Sequence, residues 1–377
     1  MISFKKFCLL FCLGIISLPS IAQFSLNKGT NAVDIGGLLL LDYNYRFDTS
    51  SNANRSKNIF RLEDARIEFK GKLKEIVKYH IQCNLVDIGA TAMDFTAKPI
   101  MDANIEIGSN KYTVFKLGYG KVPYSFISLR DAHTPFLQKP EFLRNQIMPR
   151  RALGLTFTKT FWLRRINFIT GIYNSSGEQT LSGINDENGL PESVSRLEIG
   201  FPAQYDGYLE VDKSGTPVPL FFLGLNSRYA NTTVATTDQY HLYTIAGKKL
   251  MYGGDINFLY RGFALLFETD IVKAMPDNVT ALNPFDSATY FKAGAFVGEI
   301  SYCAKPLHSL LAIRYDEFNP TDLIADNTTR SLEFAYTYAI PQTGVDLKVF
   351  YAHFLPYAVS NISWKKDEVR IGLEYFF

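Results

Sequence analysis

Arg130, Lys139, Arg144 and Arg150 fall within one stretch, residues 122–150, and Arg151 follows directly. Only Asp131 and Glu141 oppose them there, so the stretch carries an excess of positive charge. A guanidinium presents a planar fork of donors that matches phosphate oxygens. Rings of Arg or Lys select anions where a passage is narrow and its walls are of low dielectric. Pro123, Pro135, Pro140 and Pro149 stiffen the stretch enough for it to hold a shape. The competing reading is a solvated surface loop whose charges touch no permeating ion.

Other chemistry is thin. The five His, at 80, 133, 241, 308 and 353, have no metal-ligand spacing. Asp186-Glu187-Asn188-Gly189 and the acids of 316–326 lack a full calcium-loop pattern and read as solvated turn residues. Gly118-x-Gly120 lies inside a strand-like run, where glycine marks a bend or close packing rather than a phosphate loop. His133 beside Asp131 is the one pair that suggests a hydrolase, and residues two apart on a loop rarely form a working dyad. No catalytic residue, metal ligand or cofactor is assigned.

The elements that would position these groups are strands. Residues 78–86 set Tyr79, Ile81, Cys83 and Leu85 against Lys78, His80, Gln82 and Asn84. Residues 101–107 and 345–353 repeat that period of two, and 368–377 set Val369, Ile371, Leu373 and Tyr375 against Glu368, Arg370 and Glu374. One oily, aromatic face and one charged face on strand after strand fit a barrel with lipid outside and water within, better than a soluble sandwich. By this alternation Arg66, Lys116, Arg314 and Arg370 face inward, together with Asp64, Glu68, Asp316, Glu368 and Glu374. Such neighbours either charge the lumen or brace the wall as cross-strand ion pairs. Tyr43, Tyr45, Tyr79, Trp162, Tyr336 and Tyr375 suit interfacial aromatic girdles.

The N-terminus reads as an export signal. Lys5 and Lys6 precede the apolar run 7–18, and Ser20-Ile21-Ala22 is a small-x-small cleavage site. Cleavage after Ala22 leaves a mature domain, 23–377, with 37 basic and 37 acidic residues. This balance excludes a nucleic-acid binder that works by bulk positive charge. Only Cys83 and Cys303 remain, too few for a disulfide framework. No later stretch reaches the length of an apolar transmembrane helix, which leaves a closed barrel as the route across a membrane.

Seventeen strand-like runs can be marked, separated by short links near 74–76, 110–111, 261–262, 303–307 and 341–343. Longer links fall at 48–59, 88–100, 122–150, 175–192, 273–289, 320–328 and 356–366. Short turns on one side and long loops on the other characterise outer-membrane barrels. Both termini should lie on the short-turn side, so one run is in excess. Assigning 239–248 to an outer loop spanning 232–250 leaves sixteen strands, in one domain.

Three segments, FRLEDARIEFKG (60–71), LGYGKVPYSF (117–126) and a block running on to RRALGLTF (150–157), resemble the phosphate-selective porin O and P family of bacterial outer membranes. Gly118, Lys121, Pro123 and Ser125 match a motif of that family, with Tyr124 in place of its phenylalanine. GGDINFLYRGFALLFE (253–268) and RYDEFNPTD (314–322) extend the resemblance, and Phe377 resembles the terminal aromatic read by the outer-membrane assembly machinery. The resemblance implies a transmembrane antiparallel β-barrel in the bacterial outer membrane, a trimeric assembly, and an arginine ladder with lysines near the pore neck. Lys121 thereby joins the pore candidates. The expectation is a non-enzymatic, passive diffusion channel for small hydrophilic solutes that favours anions, phosphate-like ones among them. The alternatives are a barrel hydrolase and a soluble periplasmic binding protein.

Overall fold

The computed structural model describes residues 24–28, 31–47, 58–74, 76–87, 99–110, 112–130, 137, 150–174, 191–202, 208, 211–232, 246–277, 289–323, 328–355 and 367–377. The alternating runs form β1 (Phe24–Lys28), β2 (Asn31–Arg46), β3 (Asn58–Leu73), β4 (Val77–Asn84), β5 (Ile100–Asn110), β6 (Thr113–Lys121), β7 (Arg151–Phe161), β8 (Ile166–Tyr173) and β9 (Glu192–Phe201). The second half continues with β10 (Leu220–Thr232), β11 (Gly247–Tyr260), β12 (Phe263–Pro276), β13 (Phe291–Ala304), β14 (Ser309–Asn319), β15 (Thr329–Ile340), β16 (Val345–Phe354) and β17 (Glu368–Phe376). A four-residue helix, α1 (Phe126–Leu129), follows β6.

Each strand from β2 to β17 pairs antiparallel with the next, and β17 pairs with β2, so sixteen strands close into a barrel. Closure satisfies every edge, which hydrocarbon demands because it offers no hydrogen-bond partners. The seventeenth strand, β1, stands outside the ring as a hairpin partner of Asn31–Ile35 of β2. At the closure point Gly37 and Phe377 exchange two main-chain hydrogen bonds, of 2.8 and 3.2 Å. Residues 239–245, most of the run assigned above to a loop, lie outside the described residues. β10 reaches Thr232 and β11 begins at Gly247, so both ends of the expected loop 232–250 are strand. The reason is pairing: Thr232 lies opposite Gly247 on the same ladder.

Side chains obey the two-face rule. Leu117 is 61% exposed and Ile371 55% exposed on the outside, while Glu192, Arg196 and Asp316 are fully covered within. No helix of the described residues is long and apolar enough to cross a membrane; the strands do so. A register shift at Leu40/Leu41 leaves Glu63 unpaired on β3, which keeps both Arg61 and Asp64 on the inner face. Gly118 adopts φ +132°, and a Cβ there would stand 2.4 Å from the Ala103 carbonyl oxygen, so Gly118-x-Gly120 marks close backbone approach.

Candidate functional site: the barrel lumen

The link after β6 turns into the barrel rather than away from it. Ser125 caps α1, its hydroxyl oxygen accepting the Ser128 N–H at 3.0 Å. The Ser125 hydroxyl in turn donates to Glu268 on the inner face of β12, and the Ile127 N–H donates to the same carboxylate at 3.0 Å. Phe126 is fully buried, its ring 5.3 Å from Tyr208 and 6.3 Å from Phe222 of β10. Burying such a ring contributes about 2 kcal/mol. Arg130 closes the helix with two parallel bonds to Glu299 of β13, at 3.0 and 3.1 Å. Farther along the link, Leu137 packs with Leu310, Ala312, Ala335, Phe350 and Ala352, inner-face residues of β14, β15 and β16.

The basic candidates divide by what holds them. Arg66 pairs with Asp64 at 2.6 Å, and Arg151 with Asp102 at 3.1 Å. Arg314 pairs with Glu333, and Arg370 with Glu368. With Arg130, these side chains brace the wall and the loop by ion pairs, the bracing alternative of the sequence reading. Arg150 and Lys121 are held differently. The Arg150 guanidinium donates to the carbonyls of Ser128 and Arg130, both at 2.7 Å. Lys121 Nζ donates to the carbonyls of Leu129 and Arg130 at 2.9 and 2.8 Å. Carbonyl oxygens at the end of α1 orient both cations. Lys116 is half-buried on β6, in register with Glu106. Lys139, Arg144, His133 and Asp131 lie outside the described residues.

Several lumen groups escaped the sequence reading. Arg196 bridges Asp255 at 2.7 and 2.9 Å and Glu198 at 2.8 Å. Arg228 pairs with Glu192 and stands 4.7 Å over the Tyr124 ring. Arg61 grips Asp42 at 2.6 and 3.0 Å. Alternation within β9 places Glu192, Arg196 and Glu198 on one face and was the available signal.

Among the described residues no cluster of His, Cys, Asp or Glu has the geometry to hold a metal ion. The closed ring, its oily exterior and its charged lumen with an inserted link coincide with an independent match: residues 33–188 fit the family model described as phosphate-selective porin O and P. The chain has the sixteen-strand barrel fold seen in solved porins. Solved structures share the architecture at low identity. OmpF of Salmonella typhi, in a complex with daunomycin, superposes with a TM-score of 0.62 at 12% identity, over 94% of this chain and 100% of that one. The outer membrane channel DcaP of Acinetobacter baumannii gives 0.59 at 12%, over 95% and 100%. The trimer form of the outer membrane protein OmpT of Vibrio cholerae gives 0.59 at 10%, over 92% and 100%. No curated protein matches the sequence significantly. This barrel resides in the bacterial outer membrane, and its exposed apolar belt excludes the soluble periplasmic alternative.

Proposed function

We propose that this porin is a passive diffusion channel for small hydrophilic solutes that favours anions, phosphate-like ones included. The observation that carries the preference is the pair Lys121 and Arg150, fixed by carbonyl oxygens beside Arg151 and Arg66 at the root of the inserted link. Lys116 adds a third cation on the same side of the lumen. In a low-dielectric passage, charges fixed in this way outweigh a neutral total. Most other lumen arginines are matched by a carboxylate, which supports a general anion preference over a strict phosphate filter. The trimer form of the Vibrio cholerae protein supports a trimer here. The terminal aromatic Phe377 is the proposed contact for the assembly machinery.

Purified protein in a planar bilayer should give stepwise, ohmic conductance, and a salt gradient should give a reversal potential of anionic sign. Lys116→Glu should move that potential toward the cationic side, and phosphate should reduce the chloride current. Absence of conductance steps would remove the channel reading. A cationic wild-type potential would remove only the anion preference.

A further inference from the structure

The link between β9 and β10, residues 202–219, belongs to the short-turn side, yet Tyr208 and Val211 pack against side chains of the barrel interior. Tyr208 lies edge-on to Phe126 of α1 at 5.3 Å and donates its hydroxyl to Glu198 at 2.6 Å, while the Arg196 guanidinium lies 5.9 Å over its ring. Val211 packs with Leu137 of the inserted link and with Leu310 and Phe350. The turn beyond is tied down by Asp212, fully buried. Its carboxylate accepts from the Thr216 N–H, from the hydroxyls of Ser214 and Thr216, and at 2.7 Å from the Gly262 N–H of the next short turn. The Thr216 carbonyl accepts the Arg261 N–H at 2.9 Å, and Lys305 donates to the Ser214 carbonyl.

The two apolar clusters that result draw their wall residues from β7 to β16 and from no strand between β2 and β6. Arg196, Arg228 and Glu333 on the clustered side are fully covered. On the other side Asp42, Arg66 and Asp102 are buried in the wall, and Arg61 and His80 are the side chains left 27% and 26% exposed.

We infer that Tyr208 and Val211 of link 202–219 form a second lumen element, a prop rising from the short-turn side that holds residues 126–130 and Leu137 against the β7–β16 wall and confines permeation to the β17-to-β6 side. Solute then passes Arg61, His80 and Lys116, which add to Lys121 and Arg150 in setting selectivity. This rests on the channel reading for its electrical consequence, but the prop itself is testable without conduction.

The experiment compares full-length wild type with Tyr208→Ala and Tyr208→Phe. Heat-modifiable gel mobility establishes that each barrel is closed. Amide hydrogen exchange across 126–130 should be about tenfold faster in Tyr208→Ala and unchanged in Tyr208→Phe, which keeps the ring. In bilayers the Ala variant should show conductance raised at least 1.5-fold with greater open-channel noise. Exchange equal to wild type in the Ala variant overturns the prop. Faster exchange with unaltered conductance overturns the one-sided path. Loss of conductance steps in wild type counts against the channel reading, while the exchange result still decides the prop. Should Tyr208→Ala fail to fold, Val211→Ala is read by the same two measurements.

Discussion

Replacing Glu299 with Gln tests how the inserted link is held. The substitution removes the charge that receives both donors of Arg130, at 3.0 and 3.1 Å, and leaves the guanidinium covered on the β13 wall. Arg314, 3.9 Å from the same carboxylate, becomes a repelling neighbour although it retains Glu333. Breaking one side of a buried pair costs about 3–5 kcal/mol. Swinging the freed arginine into lumen water relieves part of that, leaving about 3 kcal/mol against the docked link. That is roughly a hundredfold rise in the ratio of undocked to docked link. The strand ladders do not depend on the pair, so heat-modifiable mobility should persist. Limited proteolysis within 131–149 should speed up, and single-channel records should acquire brief closures. The double variant Arg130→Met/Glu299→Gln should return most of the docking, because neither charge is then stranded. Proteolysis and noise equal to wild type in Glu299→Gln would refute the anchoring role.

Three further outcomes follow from the geometry. Gly37→Val places a side chain where the Phe377 ring stands, 2.2 Å from the ideal Cβ, so the closing strand pair should form slowly and melt early in a heat-modifiability series. Leu117→Arg puts a cation on the lipid face and should lower urea stability in liposomes by about 2–4 kcal/mol if that position lies near the bilayer midplane. Burial pushes the Asp367 carboxyl up, but bonds from His353, Tyr351 and the Phe354 N–H outweigh it and hold the group below its ordinary range. A depressed folded-state value means the bonds hold the end of the β16–β17 link at neutral pH and fail only as pH falls below about 4. Hydrogen exchange at Phe354 should accelerate in that window and should already be fast at neutral pH in Asp367→Ala.

Strand number and facing were legible because a two-residue period survives in any window, and Glu368, Arg370 and Glu374 landed on the inner face that alternation gave them. Pairing partners were not. Arg130 finds Glu299 and Ser125 finds Glu268 across 169 and 143 residues of sequence, and no local pattern encodes such distances. The inner apolar residues were also opaque. Phe222, Val272 and Phe291 violate the rule of polar lumen faces, and they make sense only once a folded link covers them. Tyr208 and Val211 acquire meaning from the side chains they touch inside.

The seam between Gly37 and Phe377 has a practical corollary for anyone handling the protein. β17 runs along β2 as far as Leu38, and the next stretch of that edge, Asn31 to Ile35, is already taken by β1. A purification handle fused after Phe377 therefore has no groove to continue along and must displace the leading hairpin or leave the ladder at once. Insertion into the connection between β12 and β13 spares the join between β2 and β17.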